Sequence, residues 1–351
     1  VGIGPVLQDS IYGGETYDAR LADPGWCEPG AVENPEPGLA APGPGGPDVE
    51  PSAAWARPVT ADPPGGKLVS QLMEPIRVVR AIAPTERTEI RPGVTVYDMG
   101  QNLAGWARIR VRGDRGSRVT LRFAESLHPD GTVNQENLRS AAATDTYILA
   151  GDGDETWEPR FTYHGFRYVQ VELSPAEGKS EDDRPIPASI EGCLVRSDTA
   201  SSGEFRCSRD LLNEIHSMVW WTEAGNQHSI PTDCPQRDER MGWLNDLGAR
   251  AEEAIYNFDM ARFFSKWVAD IHDAQDSETG AITDTAPFRW GNRPADPVSV
   301  SYLLIPWLLY RYYGDTRTMK DHYDGFKGWV DFLSSVAEDL VVNYSYYGDW
   351  A

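Results

Sequence analysis

The sequence predicts an antiparallel β-sandwich followed by a helical domain built of hairpins. Three observations predict it. Between about residues 68 and 195, apolar and polar residues alternate with a period of two. From Gly203 onward the apolar residues recur at three- and four-residue spacing. At the start of the helical part, one stretch concentrates polar chemistry. Pro231 to Asp246 reads PTDCPQRDERMGWLND and holds Asp233, Asp238, Glu239 and Asp246, with Arg237, Arg240 and Trp243.

Residues 1–25 contain QDSIYGGETYDARL, with short alternation and many acids. Residues 28–66 are rich in Pro, Gly and Ala and read as a loop or linker. Within it, Trp55 is expected to anchor on a neighbouring domain. The segments VTVYDMG, WARIRVRG, SRVTLRFAES, TDTYILAG and FRYVQVEL then alternate as strands, separated by Asp-Gly and Gly-Asp turns. Close spacing of short strands means a sandwich. Such a module either binds a carbohydrate or braces its neighbour, and bracing is expected.

In the helical part, Ser208 is expected to cap a first helix, with Leu211, Leu212, Ile215, Val219 and Thr222 on one face. A helical pattern opening near Met241 gives a second helix to Phe258. A third, capped by Asp259, carries Phe263, Phe264, Trp267, Val268 and Ile271. A loop from Asp276 to Pro297 precedes helices over residues 300–313 and 316–340. Consecutive hairpins of this length fit part of a helical toroid.

The chain has 351 residues and a net charge of −22, which argues against nucleic acid and anionic membrane as partners. No apolar run is long enough to span a membrane. The four cysteines, Cys27, Cys193, Cys207 and Cys234, lack CxxC spacing and a His at metal spacing, so zinc is not expected. No cofactor is expected to be required. Calcium in a β domain is left open, although no EF-hand-like loop stands out. The lack of paired cysteines leans to a cytoplasmic location.

Charges at a loop-to-helix junction often only cap the helix and pair with one another. Here Trp243 and its apolar neighbours argue against full solvation of the acids. The neighbouring acids repel a charge on Glu239, whereas Arg237 and Arg240 oppose that repulsion. Acids, a cationic clamp and an aromatic face are the parts needed to hold a sugar and protonate a glycosidic oxygen.

DCPQRDERMGWLND at 233–246 resembles the acid motif of the bacterial α-L-rhamnosidases of glycoside hydrolase family 78. IYGGETYDAR resembles the end of that family's N-terminal β domain. YDMGQNLAGWARIRVRG, ENLRSAAATDTYILAG and FTYHGFRYVQVE resemble its concanavalin-like sandwich, and PWLLYRYYGD and YGDW resemble its (α/α)6 catalytic domain. The resemblance implies three parts: residues 1–66 as the end of an N-terminal β domain plus linker, 67–198 as the sandwich, and 199–351 as the first half of the (α/α)6 domain. It implies inverting hydrolysis of terminal α-L-rhamnosyl residues from glycosides or polysaccharides. Glu239 corresponds to the general acid. Asp233, Arg237, Asp238 and Asp246 correspond to substrate-binding groups, and Trp243, Trp290 and Trp350 to aromatic walls. Glu252, Glu253, Glu278 and Asp284 fall in no matching motif, so the general base is expected beyond residue 351 and this chain is expected to be an inactive fragment. The alternative is a non-catalytic rhamnoside-binding protein.

Overall fold

The protein is described by a computed structural model over residues 4–22 and 60–348. Trp55, Trp350 and most of the expected linker lie outside the described residues.

Ten strands form one strongly curled sheet: β1 (Val6–Ser10), β2 (Gly14–Asp18), β3 (Ile76–Ile82), β4 (Glu86–Arg91), β5 (Val94–Arg112) and β6 (Arg118–Ala124). After a short hairpin, β7 (Ser126–Leu127) and β8 (Val133–Asn134), come β9 (Thr144–Ile148), β10 (Asp154–Trp157), β11 (His164–Ser174) and β12 (Ile186–Ser197). The order is β1-β2-β9-β6-β11-β5-β12-β3, with β4 and β10 also pairing with β5. All pairings are antiparallel except β2 with β9. Val6–Asp18, expected as the end of a preceding β domain, thus forms the edge of this same sheet.

The 19-residue β5 turns the sheet over on itself. Its first half pairs with β4 and β11, its second with β10 and β12. The bend falls between Gly100 and Gly105, both at positive φ. A Cβ on Gly105 would lie 1.8 Å from the Cys193 carbonyl oxygen, so only glycine lets β12 close there. The alternation predicted for WARIRVRG holds: Ala107, Ile109 and Val111 point into the core, while Arg110 and Arg112 reach outward to Asp154. Leu121, Phe123, Phe166 and Val169 fill the same core.

The helical part comprises α1 (Asp210–Gly225), α2 (Leu244–Asn257), α3 (Ala261–Ala274), α4 (Ser301–Tyr313), α5 (Thr316–Asp321) and α6 (Tyr323–Val336). Leu244, Leu247, Ala251, Ala254 and Ile255 of α2 pack with Phe263, Phe264, Trp267, Val268 and Ile271 of α3. Tyr302, Ile305 and Leu309 of α4 and Trp329 of α6 complete that core. None of the helices is long and apolar enough to cross a membrane among the described residues.

Two expectations are corrected. Ser208 does not cap α1: Arg209 precedes the helix, and the Asn213 side chain instead bonds the N–H and C=O of Cys207, both at 2.9 Å. The predicted apolar face of α1 stays open over its first half, with Leu211, Leu212 and Ile215 exposed. Only the end of α1 is covered, where Trp220 packs against both cores. The helix here is set by the sheet it rests on, not by its own periodicity.

Gly105→Ala is expected to destabilise the fold by about 3 kcal/mol, read as a lowered denaturation midpoint.

Candidate active site

The acid stretch is a loop, and α2 starts three residues later than the pattern near Met241 predicts. The cause is local. Asp233 Oδ1 accepts the Met241 N–H (2.8 Å), and the Asp233 N–H reaches the Met241 carbonyl (3.0 Å). Trp243 bridges to Thr285 before Leu244 opens the helix. Arg240, the residue before Met241, sits at φ 54°, which stops any helical turn there.

Arg240 locks this loop onto the β domain. Its guanidinium is buried and donates to the carbonyls of Arg237 (3.0 Å) and Gln236 (3.0 Å) within the loop. It also donates to those of Ile11 and Tyr163 in the β domain. The rings of Tyr12 and Tyr163 lie 5.4 and 4.8 Å from its carbon centre. Gly165 permits the contact, since a Cβ there would come within 3.0 Å of Gln236 main-chain atoms. The sequence places Arg240 among the cations opposing charge repulsion at Glu239; its four carbonyl bonds give it a docking role instead.

Glu239 presents its carboxylate on the other side of that turn. Trp243 Nε1 donates to Oε1 at 2.9 Å. Arg237 Nε lies 3.0 Å from Oε2, and Arg139 Nη1, from the β domain, lies 3.1 Å from the same oxygen. The Tyr12 hydroxyl donates to the Glu239 carbonyl (2.9 Å). Arg237 also reaches Asp233 Oδ2 at 3.4 Å, so one guanidinium serves two acids. Asp238 faces the opposite way and accepts from the Ser140 N–H (3.2 Å) and hydroxyl. That contact, more than Arg139 nearby, holds its carboxyl below the usual carboxylate range. Asp246 stands in the first turn of α2, accessible to water. Crowding by protein and then the charge of Asp233 push its pKa up.

Atoms of Asp233, Cys234 and Glu239 lie within 4.8 Å of one another, close enough to surround an ion. The Arg237 guanidinium already supplies the positive charge to both carboxylates, and burial pushes the Cys234 thiol up to about 12, so it stays protonated. His228 offers that thiol no base: it stacks on Tyr163 at 3.9 Å, and burial takes its pKa down to about 4.

The loop after α3 forms a second wall. Asp284 is buried and accepts the Asn292 N–H (2.7 Å), the Asn292 amide (3.0 Å) and the Asp296 N–H (2.7 Å). Trp290 projects from this loop with its side chain exposed. Asp296 Oδ2 gathers the Ser345 hydroxyl (2.7 Å) and the N–H groups of Tyr346 (2.7 Å) and Tyr347 (3.0 Å). Burial works against its charge, yet these bonds, led by Tyr347, take its pKa down to about 2. Tyr347 is thereby set edge-on to Trp243, with ring centres 5.5 Å apart.

Of the predicted residues, Asp233, Arg237, Glu239 and Trp243 converge in one contact network, with Asp246 electrostatically coupled to it. Asp238 is turned to the β domain, Trp290 stands apart on its loop, and Trp350 lies outside the described residues. Of the four unassigned acids, Glu252 accepts the Tyr312 hydroxyl, and Glu253 pairs with Asn257 and is pushed up to about 7 by burial. Glu278 is exposed, and Asp284 is spent on its loop. Sequence reasoning missed Tyr12, Arg139, Ser140 and Tyr347 as site residues. A signal existed: three of them fall inside the β-domain segments that carried the family resemblance.

Arg240→Met is expected to cost about 3 kcal/mol or more, because it strips four carbonyls, that of Tyr163 buried, of their shared donor. Denaturant unfolding reads it. Asp296 gives a pH test. Its folded pKa lies below the unfolded value of about 3.9, so its stabilisation is complete above about pH 4 and is lost as pH falls through about 2. Asp296→Asn should flatten the fall of melting temperature over that window.

Comparison with known proteins follows these two halves. Residues 88–196 match the bacterial alpha-L-rhamnosidase concanavalin-like domain, and residues 200–351 match the bacterial alpha-L-rhamnosidase 6 hairpin glycosidase domain. An alpha-L-rhamnosidase of Streptomyces avermitilis is 40% identical over 99% of this chain and 31% of its own length. The solved alpha-L-rhamnosidase from Dictyoglumus thermophilum superposes with a TM-score of 0.84 and 44% identity, over 99% of this chain and 36% of that one. The Streptomyces avermitilis enzyme complexed with L-rhamnose gives a TM-score of 0.81 at 38% identity, over 99% of this chain and 31% of that one. The chain spans about a third of the length of these relatives. With both domains matched in order around one acid loop, the chain belongs to the bacterial α-L-rhamnosidase family.

Proposed function

We propose that the full-length protein carrying this chain hydrolyses terminal α-L-rhamnosyl residues of glycosides or polysaccharides, with inversion at the anomeric carbon. Glu239 is the general acid that protonates the departing oxygen. One observation carries this reading. Glu239 is the acid of the loop whose carboxylate is oriented by a ring N–H and two guanidiniums while staying partly accessible. Trp243, whose N–H holds Oε1, offers its ring as an apolar wall suited to the methyl group of a 6-deoxy sugar.

Asp233 does not fit the second catalytic role. An inverting pair stands about 6.5–9.5 Å apart to admit a water. Asp233 lies within 4.8 Å of Glu239, its side chain is 4% exposed, and both its oxygens are bonded. It serves to hold Arg237 and the loop, leaving sugar hydroxyls to Asp246. The water-activating base is then assigned to a segment other than this chain. Open apolar faces on α1 support that reading, as does the one-third coverage of the relatives.

Glu239→Gln in the full-length protein should lower kcat by about 10²–10⁴-fold on a rhamnosyl disaccharide and far less on a nitrophenyl rhamnoside, which needs little protonation. Equal loss on both would remove Glu239 from the acid role. Proton NMR of the first-formed sugar should show β-rhamnose, and α-rhamnose would refute inversion.

A further inference from the structure

The acid loop departs at Thr232, shortly after the end of α1, and returns as α2 at Leu244. A tight hairpin shapes its start. The Thr232 N–H donates to the Asn226 carbonyl (2.9 Å), the Thr232 hydroxyl donates to Asn226 Oδ1 (3.0 Å), and Gln227 bridges to Pro231. The ends of β12 and α3 hold the outside of this hairpin. The Ser197 N–H reaches the Gln227 carbonyl at 2.8 Å, and Lys266 Nζ reaches the Ser229 carbonyl at 3.2 Å. Arg250, two turns into α2, donates from Nη2 to the Thr232 carbonyl at 3.1 Å. That bond closes the acid loop: it joins the residue before Asp233 to the helix that carries Asp246.

The other half of the guanidinium is fixed from α1. Arg250 Nη1 donates to the carboxylate of Glu223, which is 2% exposed. Gln227 Nε2 donates to the second oxygen of Glu223 (3.3 Å), and Gln227 Oε1 accepts from the Thr199 hydroxyl and from Arg196 Nη1 (3.3 Å). A buried polar chain thus runs from β12 through Gln227 and Glu223 to Arg250 and ends on the acid loop. Replacing a buried ion pair by apolar residues of similar volume is often neutral or stabilising, so stability alone does not account for this one. What the pair supplies is a fixed direction for Nη2. Arg250 also stands one turn beyond Asp246 on α2. Crowding, and then the charge of Asp233, raise the pKa of Asp246, and the Arg250 charge opposes them.

The two sides of the site therefore have separate supports. Arg240 seats the loop on the β domain, and Arg250 sets how far its Asp233 end stands from α2. Asp233 holds Arg237, and Arg237 pairs with Glu239, so the spacing between Glu239 and Asp246 depends on that bond. We infer that Arg250 is a positioning residue of the reaction: by closing the acid loop onto α2 it fixes the gap between Glu239 and Asp246 in which the rhamnosyl ring is held. The inference rests on the proposed sugar site between those two acids.

The test is binding of free L-rhamnose to the full-length protein, read as its inhibition constant against a nitrophenyl rhamnoside well below the melting temperature. Arg250→Met should raise that constant and KM by about tenfold, with a smaller change in kcat, because a displaced loop holds the ring poorly. Arg250→Lys, which keeps the charge facing Glu223 and a donor group, should recover part of the affinity. Ile109→Ala, which opens a cavity in the sandwich core, should lower the melting temperature and leave the inhibition constant at its wild-type value. A purely structural Arg250 would behave the same way. An unchanged constant in Arg250→Met, or one raised as much in Ile109→Ala, overturns the inference. Should Arg250→Met not fold, Arg250→Lys decides, and a wild-type constant there overturns it. Asp246→Asn separates the two readings. If it leaves L-rhamnose binding intact, the sugar site itself has failed; if it weakens binding while Arg250→Met does not, only the role of Arg250 has.

Discussion

The buried guanidinium of Arg240 is the interaction on which the site depends. A charge taken out of water costs several kcal/mol unless its donors are met. Here they are met by four carbonyls, two from the acid loop and two from the β domain, with tyrosine rings alongside. These acceptors coincide only when the loop is docked on the sheet. The same residue, at φ 54°, turns the main chain so that Glu239 and Met241 diverge. One side chain thus sets both the seat of the loop and the direction of its key carboxylate.

Carboxylates close together in the chain take different fates because their surroundings differ. Asp233 is buried and spent on a backbone N–H and on Arg237. Asp238 is drawn to Ser140 and fastens the loop to the sheet. Glu239 is held by one indole and two guanidiniums yet keeps access to solvent. Asp246 rides on α2, where crowding favours its neutral form. Assigning roles to acids is a matter of environment before residue type.

The β domain braces the acid loop directly. Ile11, Tyr12, Arg139, Ser140 and Tyr163 all touch the acid loop, four of them through main-chain or hydroxyl groups. The β1–β2 hairpin whose turn carries Tyr12 is in turn pinned to β9: Asp145 accepts the Glu15 N–H at 2.9 Å, and the Thr144 N–H reaches the Gly13 carbonyl at 2.9 Å. Sheet and helices therefore share one boundary, and the site lies on it.

The sequence by itself determined the order of the two halves, because a period of two and a period near 3.6 bury different faces and cannot be confused over segments this long. It determined the apolar faces of α2 and α3 residue by residue, since both helices bury those faces in one core shared with α4. It also marked the acid loop, whose Asp233, Arg237, Glu239 and Trp243 lie too close in the chain to be far apart in space. Tertiary structure decided what spacing cannot encode. The open face of α1 depends on what lies across from it, and the late start of α2 on a carboxylate that captures the Met241 N–H. The reach of Arg139 to Glu239 spans 100 residues and rests on a strained main chain. Local patterns report how a segment buries itself, whereas partners brought together by folding have no period to betray them.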